Sequence, residues 1–196
     1  MTESRPPIHF ERLYHSNPDP WGFSTSPYEK AKYRRTLDAL PPGRFLSALE
    51  VGCSIGVLTG LLATRCDNLL GIDIVETPLH AARFRCAGQP GVRFERMRVP
   101  AEWPANRFDL VVFSEVLYFL SAEDIKRCGA RVVDTLLPGG TVVLVNWLGD
   151  YSNPGIGDPS AGDAGPDRFI NATKNVLRIT HQERHARYRL DVLRSA

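Results

Sequence analysis

Glu50-Val51-Gly52-Cys53-Ser54-Ile55-Gly56, read with Asp73, is the group of residues in this chain whose types and spacing could do chemistry together. An apolar strand breaks into a glycine turn, and glycine lets backbone approach a ligand because it carries no Cβ. A second apolar strand, Leu69-Leu70-Gly71-Ile72, ends in the Asp73 carboxylate. An acidic residue about 20 positions beyond such a turn, at the tip of the next strand, is placed to accept hydrogen bonds from a ribose diol. The pair therefore predicts an adenosine-containing cofactor. The turn departs from the dinucleotide fingerprint, since Ser54 and Ile55 crowd the places where a pyrophosphate needs bare backbone. A ligand without phosphates, its amino-acid part lying over the turn, fits better.

These residues require a scaffold that brings strand tips to one edge. Strands are expected at Phe45–Val51, Leu69–Ile74, Val92–Met97, Asp109–Val116 and Thr141–Trp147. Helices fall between them. One follows the glycine turn with Val57, Leu58, Leu61, Leu62 and Arg65 at helical spacing, and one starts at Thr77-Pro78. A third is capped by Ser121, with Ile125, Cys128, Val132, Val133 and Leu136 as its apolar stripe. Pro138-Gly139-Gly140 reads as the turn into the fifth strand. The alternation predicts an α/β fold with a doubly wound, mostly parallel sheet. A terminal hairpin of Asn175–Gln182 and Tyr188–Leu193 brings the strands to seven. Before the core, Ser26-Pro27-Tyr28-Glu29 is a capping box that opens a helix, stopped at Pro41-Pro42-Gly43. Between Trp147 and a short helix at Asp167–Lys174, the Gly149–Gly165 stretch reads as a long loop.

Bulk properties narrow the function. A chain of 196 residues, 43% hydrophobic, suits one domain over positions 1–196. A net charge of +2 gives no basic field for nucleic acid. No apolar run of about 18 residues and no secretory leader are present, so neither a membrane nor export is expected, and the chain reads as cytoplasmic. Cys53, Cys66, Cys86 and Cys128 lack metal-ligand spacing and read as reduced, buried thiols; no metal is expected. A monomer suits these properties.

Four motifs in order resemble the class I methyltransferases that use S-adenosylmethionine. They are Glu50–Gly56, Gly71-Ile72-Asp73, Phe108-Asp109-Leu110-Val111-Val112-Phe113-Ser114-Glu115-Val116-Leu117-Tyr118-Phe119-Leu120 and Leu137-Pro138-Gly139-Gly140-Thr141-Val142-Val143-Leu144. The resemblance implies a Rossmann-like fold whose cofactor is S-adenosylmethionine, left as S-adenosylhomocysteine. It places Glu50, Gly52, Cys53, Ser54, Gly56, Asp73 and Ile74 at the cofactor. Pro100, Ala101 and Glu102 would edge the adenine, and Ser114 with Glu115 would lie beside the sulfonium. Relatives commonly carry an acidic residue where this chain reads Arg98-Val99, which leaves the adenine contact open.

A narrower resemblance lies in His15-Ser16-Asn17-Pro18-Asp19-Pro20-Trp21 and Ser26-Pro27-Tyr28-Glu29-Lys30-Ala31-Lys32-Tyr33. These resemble the start of the rhizobial NodS family, nodulation methyltransferases. That implies N-methylation of the free amine on the non-reducing glucosamine of a deacetylated chitooligosaccharide, during Nod factor synthesis. Residues 1–42 would form a helical lid, with Trp21 covering the cofactor and Arg34 meeting its carboxylate. Glu115 would take a proton or hydrogen bond from the amine, and Tyr118 would orient the acceptor. Trp147, Asp150 and Tyr151 would suit one wall of a sugar cleft. Another small acceptor, or a binder that uses the cofactor as a signal, stays open at this point, because fold and cofactor motifs do not fix the acceptor.

Overall fold

The computed structural model describes residues 3–148 and 162–195. Two compact units divide the chain, Pro6–Arg98 and Val99–Ala196 with Met1–Arg5.

The unit Pro6–Arg98 opens with α1 (Pro7–Ser16) and α2 (Pro27–Asp38), followed by β1 (Phe45–Val51), α3 (Val57–Leu62), β2 (Cys66–Asp73), α4 (Glu76–Arg85) and β3 (Val92–Arg96). Ser26 caps α2 as expected, its Oγ accepting from Glu29 N, but the reciprocal half of the box is not made: Ser26 N donates to Gly22 O and the Glu29 carboxylate pairs with Lys32. β1 pairs in parallel with β2, and β2 with β3. Leu49, Leu62, Ile72, Leu79 and Ala82 are its sealed interior. Gly71 in β2 leaves room for an aromatic ring, because a Cβ there would stand 2.9 Å from Phe94 Cδ1 and 3.1 Å from Cys53 Cβ.

Two features depart from the sequence reading. α1 was not expected; it buries Phe10 and Tyr14, one turn apart, and has proline in its first turn, where no N–H is needed. β2 begins at Cys66 rather than Leu69, because α3 ends at Leu62 and a single 3-10 turn closes at Arg65.

The other unit holds β4 (Phe108–Ser114), α5 (Ala122–Thr135), β5 (Leu136–Trp147), α6 (Ala164–Thr173), β6 (Leu177–Arg184) and β7 (Tyr188–Ser195). β4 and β5 are parallel, whereas β5–β7 and β7–β6 are antiparallel. The seven strands follow the order β3-β2-β1-β4-β5-β7-β6. β4 is an almost unbroken apolar run because both of its faces are covered. Ser121 caps α5 by accepting from Asp124 N at 3.1 Å, and Ile125, Cys128 and Val132 bury its stripe.

Here too the boundaries move. Leu136 opens β5 instead of ending the helix, and the register jumps from Phe108 opposite Leu136 to Leu110 opposite Thr141. Pro138-Gly139-Gly140 is thus an irregularity within a strand, not a turn before one; proline cannot donate to the ladder and is tolerated where pairing lapses. β4 stops at Ser114, two residues early, and a 3-10 turn at Leu117–Phe119 follows. α6 starts at Ala164, inside the stretch read as loop, since Pro166 stands in the first turn, where backbone N–H groups lack helical partners anyway. No described helix is long and apolar enough to cross a membrane.

Candidate active site

The turn after β1 is built from backbone that most side chains resist. Gly52, Ser54 and Gly56 have φ of +77°, +49° and +75°. Gly52 N and Cys53 N both donate to Ile72 O, at 2.8 and 3.0 Å, which folds the turn against the tip of β2. Gly56 performs the close-packing task, because a Cβ there would lie 2.9 Å from both Cα and Cβ of Ala82 on α4. The Cys53 side chain points away into a cluster with Leu79, Ala82, Cys86 and Phe94. Burial, reinforced by the charges of Asp73 and Glu50, pushes its thiol well above the usual range, so Cys53 can offer a ligand backbone but not a thiolate.

Asp73 is 8% exposed and closes the turn from below. Its Oδ2 accepts from Ser54 N at 3.0 Å and its Oδ1 from Val75 N at 3.2 Å. Burial raises its pKa to about 6, opposed by backbone N–H groups of Val75, Ser54 and Ile74. It is therefore mostly ionised at neutral pH, an acceptor with lone pairs beyond those two bonds. Glu50 behaves differently. It is 1% exposed, its Oε2 accepts from Thr59 Oγ1 at 2.5 Å, and it ties β1 to α3. Burial, helped by Asp73, raises its pKa to about 8 against the Thr59 bond, so it is mostly protonated at pH 7.

A residue that the sequence reading missed completes this end. Tyr14 on α1 is buried, and its hydroxyl lies 2.5 Å from Ser54 Oγ. Burial and nearby Asp73 drive the phenol far above its ordinary value, so it stays a neutral hydrogen-bonding group. Trp21 meets the Tyr14 ring edge-on at 5.6 Å and stacks with Phe23 at 5.4 Å. Asp19 shapes the segment between them, accepting from Phe23 N, Ser24 N and Ser24 Oγ. The only available sequence signal for Tyr14 was its four-residue spacing from Phe10. On α2 Arg34 is exposed, and the cation turned inward is Lys32, 3% exposed and 2.9 Å from Glu29.

The unit with β4 and β5 holds Ser114, Glu115, Tyr118 and Trp147, and it joins Glu115 to Trp147. Ser114, half-buried, ends β4 opposite Val145. Glu115 follows with φ +62°, its N–H donating to Val145 O at 2.9 Å. Its Oε2 accepts from Trp147 N at 3.0 Å. Among the described residues, Ser54 and Glu115 are the two non-glycine positions with positive φ. Each follows the C-terminal end of a parallel strand, where α/β sheets bind ligands, and such conformations cost about 1–3 kcal/mol. Tyr118 is buried, 4.5 Å ring to ring from Phe119. Pro100 is buried, and Ala101 and Glu102 are exposed. Asp150 and Tyr151 lie outside the described residues.

The family described as nodulation protein S (NodS) matches residues 11–147. The chain belongs to the NodS family. Nodulation protein S of Bradyrhizobium diazoefficiens is 31% identical over 130 residues, which cover 64% of this chain and 61% of that protein. The Rhizobium tropici protein of the same name is 32% identical over 128 residues, covering 64% of this chain and 54% of that protein. The chain thus spans less than two thirds of the length of these curated family members. Among solved structures, the N-methyltransferase NodS from Bradyrhizobium japonicum, in complex with S-adenosyl-L-homocysteine, superposes with a TM-score of 0.81 at 24% identity. That match covers 95% of this chain and 98% of the other, and it shows a shared fold.

Proposed function

We propose that the chain is an S-adenosylmethionine-dependent N-methyltransferase whose acceptor is the free amine of a non-reducing-end glucosamine in a deacetylated chitooligosaccharide. The observation that carries the cofactor is Asp73: an ionised, nearly buried carboxylate, pinned by the Ser54 N–H beneath a glycine turn. Its remaining acceptor capacity suits a ribose diol, and the bare backbone of Gly52 and the turn after it suits a methionine moiety without phosphates. When bound, S-adenosylmethionine supplies a methyl group on a sulfonium leaving group. Membership of the NodS family, whose Bradyrhizobium japonicum member is described as an N-methyltransferase, supports the N-methyl acceptor class.

The chain's own task is then to orient and desolvate the amine. The amine attacks only when neutral. A sugar amine titrates near the α-amino range, about 7.7–8.0, so a strong base is unnecessary. Glu115 accepts its hydrogen bond or proton, with one carboxylate oxygen already seated on the Trp147 N–H. Tyr118 and Trp147 shape the acceptor side, and Ser114 stands beside the sulfonium. Within residues 1–42, the lid role falls to Tyr14, which docks α1 on Ser54, and to Trp21 packed on Tyr14.

Incubation with methyl-labelled S-adenosylmethionine tests this directly. Label is expected in chitooligosaccharides with a deacetylated non-reducing end and not in fully acetylated ones. Label in neither, under conditions where calorimetry shows the cofactor bound, would refute the acceptor.

A further inference from the structure

Glu115 is seated by the Trp147 N–H, and Trp147 is itself held at its carbonyl. The Trp147 N–H donates to Glu115 Oε2, while Trp147 O accepts from Gly162 N at 3.1 Å. Both carbonyls at this junction also accept from one side chain: Asn146 Nδ2 donates to Gly162 O at 2.7 Å and to Trp147 O at 3.2 Å. Asn146 is 0% exposed. Its Oδ1 finds no partner among the described residues, so the amide contributes here through its donors. An apolar residue of similar size would fill the space without leaving a buried acceptor unmet, yet could not supply two N–H bonds from one atom. The far side of the junction is fixed too. Arg189, opposite Asn146 in the β5–β7 register, binds Asp167 at 2.7 Å and Asp163 at 3.3 Å, next in sequence to Gly162. Its Nε lies 2.9 Å from Asp191, which is fully buried.

We infer that Asn146 is a positioning residue for Glu115, acting through Trp147. This rests on the reading of Glu115 as the group that meets the acceptor amine. Asn146 clamps the carbonyl side of Trp147 to Gly162, and so holds β5 where its last N–H fixes the aim of the Glu115 carboxylate. Glu115 has little freedom of its own, since its backbone sits in the left-handed region and its N–H is committed to Val145 O.

The test compares Asn146→Ala, Asn146→Ser, Glu115→Gln and the Asn146→Ala/Glu115→Gln double variant in the full chain. The first readout is hydrogen exchange at the Trp147 amide, which needs no acceptor. Protection is expected to fall about tenfold in Asn146→Ala as the local opening becomes easier. The second readout is turnover with labelled S-adenosylmethionine and deacetylated chitooligosaccharide. A misaimed group lowers kcat by about tenfold, with calorimetric affinity for S-adenosylmethionine unchanged. Asn146→Ser keeps a donor and is expected to recover part of both losses. If Asn146→Ala does not fold, the serine variant decides on the same readouts. In the Glu115→Gln background, adding Asn146→Ala is expected to change kcat less than about twofold, because groups acting as one unit are not additive. Unchanged Trp147 protection, or a fully multiplicative loss in the double variant, overturns the inference while leaving Glu115 in place. Full turnover in Glu115→Gln alone instead brings down the reading of Glu115, and this inference with it.

Discussion

At the scale of single residues, the site depends on three side chains that share one short chain of hydrogen bonds: Tyr14 to Ser54, and Ser54 through its N–H to Asp73. Removing the phenol oxygen leaves the buried Ser54 hydroxyl without this partner, at a cost of about 1–3 kcal/mol. Tyr14→Phe is thus expected to lower stability by that amount in urea unfolding. It is also expected to weaken S-adenosylmethionine binding, measured by calorimetry, because Ser54 is held at φ +49° partly by this bond. Asp73 was legible in the sequence, since a carboxylate at the tip of the second strand announces its position by spacing alone. Tyr14 was not, because its four-residue spacing from Phe10 marks a buried helix face but not the serine it meets 40 residues later. The same holds for Lys32 and Arg34: both are basic residues of one helix, and the packing of α2 buries the first and exposes the second.

At the scale of elements, the glycine turn works only because α3 and α4 close on it. Arg85 Nε donates to Ile55 O at 3.0 Å, and Gln89 Nε2 to Gly60 O at 2.9 Å, so α4 and the residues after it grip the turn and α3. Gly56→Ala would set a Cβ 2.9 Å from the Ala82 Cα, a backbone atom that cannot step aside, and would do so at φ +75°. A loss of about 1–3 kcal/mol is expected, with a lower thermal midpoint and weaker cofactor binding. If Gly56→Ala were as stable as the parent, the close packing of α3 on α4 would have no energetic weight. The elements themselves were largely readable. β1 begins and ends where its apolar run does, and α5 follows its stripe from the Ser121 cap. The two strand misplacements share a cause. β2 and β5 each extend through residues with weak intrinsic strand preference, and pairing with β1 and β4 supplies what local sequence does not.

For the whole molecule, two buried carboxyls set a pH dependence of stability. Glu50 and Asp73 bind protons more tightly when folded, with pKa values raised to about 8 and about 6 from 4.5 and 3.8. The folded state therefore holds more protons than the unfolded chain over this window. Their contribution is greatest below about pH 4 and is lost as pH rises, until Asp73 has titrated near pH 6 and Glu50 near pH 8. Between pH 6 and 8 the Glu50 slope is about 1.4 kcal/mol per pH unit. Glu50→Gln keeps an acceptor for Thr59 and cannot ionise. Its unfolding free energy, measured against the parent, is expected to gain with pH across that interval; a constant difference from pH 6 to 8 would show that Glu50 does not titrate there.

The sequence alone determined the strand–helix alternation, the glycine turn and the carboxylate that faces it, because each is written in local periodicity or in fixed spacing along the chain. It also carried the class I methyltransferase resemblance in four ordered motifs and the NodS resemblance in His15–Trp21 and Ser26–Tyr33. Only the tertiary structure decided which polar groups are neutral, which cation turns inward, and that Asn146, Trp147 and Gly162 form the seat of Glu115. Those outcomes depend on burial and on partners far apart in the chain, and neither desolvation nor a long-range hydrogen bond leaves a periodic trace in the residues that make it.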